Sequence, residues 1–178
     1  MGKATGELYE ELLALRAKAR DPEAMAELVR HWHSRLLAHA VRLTRDREGA
    51  EDAVQEAWVA IVRGIEKLND PGAFGGWAYR IVGRECVNWV DRRRRVRRDG
   101  TPEGLAGAAS GENLVAADST DGLGAAMDGL SVEHREVLVF HYLQEMSVDQ
   151  ISATLGISAG TVKSRLHYAR EAMRRAMR

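Results

Sequence analysis

Cysteine is almost missing from this 178-residue chain, which holds only Cys86. A single cysteine excludes an internal disulfide and any cysteine-based zinc site. Long hydrophobic runs are missing too. The longest uncharged stretch, residues 150–162, is thirteen residues, well short of the roughly 20 that cross a bilayer. No apolar segment with signal-peptide flanks follows Met1, so neither membrane insertion nor export is expected. Proline is scarce at three residues and aromatics make up 6%. Net charge is also lacking, with 26 Lys+Arg against 26 Asp+Glu. What is present is 45% hydrophobic residues, enough for a core and too many for a disordered tail. The length suits one ordinary domain or two small ones.

A zero sum would argue against nucleic acid only if charge acted over the whole chain. It acts over a Debye length of about 8 Å, so its distribution decides. Residues 1–90 carry 13 bases and 14 acids, and residues 91–98 carry six Arg and one Asp. Residues 99–118 hold four acids and no base, together with four Gly, five Ala and no aromatic. That composition reads as a flexible acidic linker. Residues 119–178 carry seven of each sign, but from Ala159 onward there are six bases and one acid, Glu171. The expected organisation is therefore a first domain over 1–98, a linker over 99–118 and a second domain over 119–178. No internal repeat on a fixed period is found.

Helix signals flank the linker. Asp21-Pro22 is an N-cap followed by proline at the first helical position, opening a helix to about Leu43. Asp46 opens the next, with Glu48, Glu51 and Asp52 placed favourably on the helix dipole. Ala50, Ala53, Val54, Ala57, Ile61, Ile65 and Leu68 then recur at helical spacing as one buried stripe. Asn69-Asp70-Pro71-Gly72 breaks it, and a further helix runs from about Ala73 into the arginines, burying Phe74, Trp77, Ile81 and Trp89. Strand-type alternation is absent, so the fold class is all-α: two small helical domains joined by a flexible linker.

Near the end, Ser147-x-x-Gln150 is a capping box, with Met146 able to staple onto Ile151. Leu155-Gly156-Ile157-Ser158 closes that helix and starts another, with Gly156 at the left-handed turn position and Ser158 as N-cap. This is the spacing of a helix-turn-helix, with Ile151, Leu155, Ile157, Val162 and Leu166 as its core. The second helix would read DNA with Ser158, Gly160, Thr161, Lys163, Ser164 and Arg165, whose short or basic side chains allow close approach to base edges and phosphates. Arg170, Arg174 and Arg175 would meet flanking phosphates. The plainer alternative is a helical hairpin with a solvated basic face.

Two further stripes stand out in the first domain. Asp52, Gln55, Glu56 and Val59 lie opposite the buried face of their helix, and an apolar Val59 among acids and amides suits a protein contact; a solvated face with one stray valine is the alternative. Arg80, Arg84, Asn88, Arg92 and Arg95 form a polar stripe on the next helix. Six arginines in residues 92–98 exceed what dipole compensation asks for, so a track along nucleic-acid backbone is favoured. His31-x-His33 is no metal site, because i and i+2 point to different faces. Trp58, Trp77 and Trp89 read as core, and Cys86 as a small buried residue. No nucleophile–base pair, phosphate loop or metal cluster appears, so neither catalysis nor a cofactor is expected.

Three segments together resemble the extracytoplasmic-function (ECF) sigma factors, the smallest two-domain class of bacterial RNA polymerase sigma subunits. They are Ala50-Glu51-Asp52-Ala53-Val54-Gln55-Glu56-Ala57-Trp58; Phe74-x-x-Trp77-x-Tyr79-Arg80-Ile81 with the arginines after it; and the pair Leu130-Ser131-Val132-Glu133-His134-Arg135-Glu136-Val137-Leu138 and Gly160-Thr161-Val162-Lys163-Ser164-Arg165-Leu166. The resemblance implies that the second domain is a winged-helix-like sigma region 4 and the first a sigma region 2. It implies that Asp52, Gln55, Glu56 and Val59 dock on the clamp of the largest subunit of core RNA polymerase, and that the helix around Glu133 to Tyr142 meets the flap of the second-largest. Residues 69–76, Asn69 and Asp70 among them, would capture a flipped base of the promoter's minus-ten element, with Arg80 to Arg95 holding adjacent DNA. The helix-turn-helix would read the minus-thirty-five element. The chain departs from the family pattern at Arg84 and Asn88, where many relatives carry Asn and Asp. An anti-sigma factor is a further partner that the resemblance implies, and a cytoplasmic location follows. A relaxed linker of this length spans about 25 Å and a stretched one about 70 Å, while elements about two helical turns apart lie near 70 Å from each other. The linker would thus run nearly extended when both domains are engaged; the resemblance implies that it threads the polymerase's RNA path, and a plain solubilising spacer is the alternative. The rival is a helix-turn-helix regulator that binds duplex DNA without being a polymerase subunit.

Overall fold

The computed structural model describes residues 2–98 and 121–177; the expected linker, 99–118, lies outside them. Among the described residues every regular element is helical. The first domain is α1 (Gly2–Lys18), α2 (Pro22–Thr44), α3 (Arg47–Gly64) and α4 (Phe74–Arg98). The second is α5 (Asp121–Asp128), α6 (Val132–Leu138), α7 (Val148–Leu155) and α8 (Ala159–Ala176).

Local chemistry sets the starts. Asp21 accepts from the amides of Glu23 and Ala24, and Asp46 from that of Gly49, which satisfies amides that have no partner within their helices. The stripe from Ala50 to Leu68 is buried throughout. It runs past the end of α3 into a 3₁₀ turn, Ile65–Lys67. Leu13, Leu28, Leu36, Ile61, Phe74 and Val82 fill the core between α1, α2, α3 and α4. Trp32 meets the rings of Phe74 and Tyr79 edge-on, at centroid distances of 5.8 and 5.9 Å. Gly49 and Gly75 let two indoles lie against backbone: a Cβ at either would come within 2.2 Å of Trp89 or 2.4 Å of Trp32. No periodic stripe announces α1. It buries Leu13, Ala14 and Ala17 but exposes Leu8, Leu12 and Leu15 on another side, so apolar residues surround it and blur the pattern.

In the second domain Ser131 caps α6 by accepting from the His134 amide, and the helix passes into a π-helical turn, Val139–Leu143. Ser147 and Gln150 make the reciprocal capping box on α7. Gly156 ends α7 at φ 66°, and Ser158 caps α8. Ile151, Leu155, Val162 and Leu166 are buried with Val137, Phe140 and Ala169, and Ile157 packs at their edge.

The two domains touch. Val132 and Val139 join the first domain's core. Glu136 sits over Gly83 of α4 with His39 of α2 3.8 Å away, and the Phe140 ring lies against His39 and Tyr79. Arg45, held in the left-handed region at the end of α2, pairs with Asp128 at 3.0 Å.

Candidate nucleic-acid interface

The α8 end of the helix-turn-helix divides its side chains between structure and surface. Ser158 accepts from the Thr161 amide at 3.0 Å and shares a hydroxyl contact of 2.9 Å with Thr161. Ser164 donates to the Gly160 carbonyl at 3.0 Å. Both serines therefore shape the helix end before they meet a ligand. Gly160, Thr161 and Lys163 are exposed, and Arg165 is half-buried. Burial alone would raise the Glu133 carboxyl, but its own amide, the Ser131 side chain and the charge of Arg165 hold it below the ordinary range. Further along, Arg170 donates to the Tyr142 hydroxyl at 2.8 Å and lies over its ring. Arg174 is tied to Glu171, and Arg175 is exposed. The sequence-predicted recognition residues are thus gathered on one exposed helix end.

On α4 the expected stripe is exposed, but its members differ. Arg84 and Asn88 both reach Glu85, at 3.1 and 2.9 Å, so these two departures from the family pattern form one local cluster. Arg95 donates to the Asp91 carbonyl at 3.3 Å. Arg93 turns inward, bonding to Asp46 and lying 5.0 Å over the Trp89 ring. Burial pushes the Asp46 carboxyl up, yet the Gly49 amide and Arg93 outweigh it and hold it below the ordinary range. One arginine of the tract is therefore a brace for the start of α3, a role that composition alone could not separate from its neighbours. Asn69 and Asp70 are exposed, and Asp70 accepts from the Gly72 amide at 2.9 Å to hold the turn before α4. Beside them an open hollow of about 460 Å³ is walled by Lys67, Trp77 and Arg80, and on its far side by Ala153 and Thr154 of α7. Arg80 donates to the Thr154 carbonyl at 3.2 Å.

Asp52, Gln55, Glu56 and Val59 are all exposed on α3. Gln55 and Val59 also line a second open hollow, about 730 Å³, with Val29, His33, Trp58 and Val62. Val62 is 51% exposed. Its spacing of three from Val59 is a cue present in the sequence that periodicity of the buried face masks; Val29 and His33 come from α2 and are joined to it only by the fold. Among the described residues no group of His, Cys, Asp or Glu could hold a metal. Cys86 is buried, and burial pushes its thiol up to about 12.

Residues 28–96 match the family described as Sigma-70 region 2, and residues 121–173 match Sigma-70, region 4. The ECF RNA polymerase sigma factor SigL of Mycobacterium tuberculosis is 34% identical over 168 residues, covering 89% of this chain and 91% of SigL. The chain belongs to the ECF sigma factors. It is also 35% identical over 153 residues to the ECF RNA polymerase sigma factor SigE of Mycolicibacterium smegmatis, spanning 59% of that relative's length. A solved complex of the sigma factor RpoE with the anti-sigma factor NepR from Bartonella quintana shares the fold. It has a TM-score of 0.65 and 20% identity over 85% of this chain and 95% of that one. CnrH, solved with the cytosolic domain of CnrY, shares it at a TM-score of 0.62, with 23% identity over 93% and 94%. In this sigma factor no described helix is long and apolar enough to cross a membrane.

Proposed function

We propose that this sigma factor binds core RNA polymerase in the cytoplasm and directs it to promoters, which it recognises and opens without chemistry of its own. The observation that carries this is the presence in one chain of an exposed acidic stripe edged by Val59 and Val62 and an exposed basic recognition-helix end. Asp52, Gln55, Glu56 and Val59 dock on the clamp of the largest subunit, and the end of α6 with its π turn meets the flap of the second-largest. Tyr142 and Leu143, both more than half exposed, supply the apolar part of that contact. Lys163 and Arg165, with the helix end shaped by Ser158, Gly160, Thr161 and Ser164, read the minus-thirty-five element. Asn69, Asp70, Arg80, Arg84, Asn88, Arg92 and Arg95 hold the minus-ten region, and the segment 99–118 joins the two domains.

The work is differential binding. Flipping a base costs a few kcal/mol, and captured single-stranded bases with arginine–phosphate contacts offset it. An anti-sigma factor that covers either face would hold the protein inactive. The test is to add the purified protein to sigma-free core polymerase on a genomic template and sequence the transcript starts. Starts that share one upstream element confirm the reading. Sequence-specific duplex binding with no polymerase-dependent transcript would return the chain to the regulator reading.

A further inference from the structure

One acid stands on the face just assigned to minus-ten DNA. Glu85 lies on α4 between Arg84 and Asn88, where a bare carboxylate would repel phosphate. Its side chain, however, is only 15% exposed, beside an Arg84 side chain that is 62% exposed, and both carboxylate oxygens are engaged. Arg84 donates through Nε to Oε1 at 3.1 Å, with Nη2 at the same distance. Asn88 donates through Nδ2 to Oε2 at 2.9 Å. This second bond sets what Asn88 can offer. An unrestrained asparagine turns either end of its amide, or both, to a base. A carboxylate only accepts, so the end of the amide facing Glu85 is the amino group. The carbonyl is then the end turned away from Glu85, on a residue that is itself exposed. In the major groove adenine and cytosine present an amino donor, whereas guanine and thymine present acceptors alone. Asn88 is twelve residues beyond Gly76, about 18 Å along the helix. At roughly 3.4 Å per base step, that is too far from the 69–76 segment for the flipped base itself.

We propose that Glu85 is a positioning residue for promoter reading: it holds the Asn88 amide with its carbonyl outward, so that Asn88 accepts from adenine N6 or cytosine N4 on one strand of the paired DNA beside the opened segment. This rests on the assignment of the minus-ten face above. Guanine or thymine at that position would leave the carbonyl facing another acceptor. Arg84 pins the carboxylate from its other side and offsets its charge, which lets an acid stand on a DNA-facing stripe.

The experiment transcribes a promoter library, randomised across the minus-ten region and its flank, with core polymerase and the full-length protein, and sequences the templates that yield transcript. Asn88→Ala locates the contact as the position whose preference it removes. In the wild type that position should favour adenine or cytosine on one strand over guanine and thymine by at least about threefold, the loss of one hydrogen bond to a base edge. Glu85→Gln keeps the size of the side chain but adds a donor, so the Asn88 amide is free to turn over. It should flatten the preference at that one position, with the preferences elsewhere and the melting temperature unchanged. The proposal is overturned if no position answers to Asn88→Ala, if guanine or thymine is favoured there, or if Glu85→Gln keeps the preference. A uniform loss across all positions would make Glu85 a purely structural residue and would overturn it as well. If the wild type enriches no promoter at all, the sigma reading fails and base reading by Asn88 falls with it. The positioning itself is then decided on the free protein by NMR. The Asn88 side-chain amide should exchange with solvent several-fold more slowly in the wild type than in Glu85→Gln, and equal exchange would remove Glu85 from the role.

Discussion

Asp46 shows how much one carboxylate does here. It caps α3 through the Gly49 amide and anchors Arg93, which in turn covers Trp89. Asp46→Ala should cost about 0.5–2 kcal/mol, the range of a lost N-cap, read as a lower urea midpoint. The pH sign follows from its lowered carboxyl. A folded pKa below the unfolded one gives stability that is present above the unfolded value and lost as pH falls through the folded one. The wild type should therefore lose stability toward acid more steeply than Asp46→Ala, in paired melts from neutral pH downward. Cys86 makes an opposite case: with its thiol pushed up to about 12, it should resist a maleimide at pH 8 until the chain is unfolded. Prompt labelling of native protein would contradict its burial.

At the scale of elements, what could be read in advance was what is local. Caps at Asp21, Asp46, Ser147 and Ser158, and the left-handed Gly156, each involve partners within a few residues, and each is where the spacing places it. α1 escaped because its apolar residues are not confined to one side, and the π turn after α6 because no residue type marks it. Gly156→Ala should cost on the order of 1 kcal/mol, since a left-handed φ is strained for any side chain and the new Cβ would stand 3.0 Å from Arg80. The two interaction elements should fail separately. Lys163→Ala should weaken duplex binding at the upstream element with polymerase affinity unchanged, whereas Asp52→Lys or Glu56→Lys should lower polymerase affinity in a pull-down with upstream-element binding retained. Equal loss of both activities in either class would dissolve the division of labour.

For the whole molecule, zero net charge is a sum of unlike parts: an arginine tract, a basic last helix and an acidic stripe and linker. Promoter affinity of the polymerase complex should fall steeply with salt. Replacing Arg92 or Arg95 by Ala should make the log–log slope shallower by about 0.9 for each phosphate that is no longer neutralised. An unchanged slope would place that arginine among the braces, beside Arg93. The long-range pairs, Arg45 with Asp128 and Arg80 with Thr154, were illegible beforehand. Nothing in a one-dimensional pattern joins residues more than seventy positions apart, and Arg80 already had a place in the polar stripe of α4. The candidate site was legible as a set of exposed stripes, but not as stripes that partly cover each other.

Gly49 has a genetic consequence. Any side chain there collides with the Trp89 ring, so a selection for activity should return Gly49 variants only together with a smaller residue at position 89. Such suppressors would restore the packing of α3 while removing the ring on which Arg93 rests. Folding defects at the start of α3 would thus be repaired by changes that loosen the arginine tract packed beside it. In a selection these two traits would be inherited together.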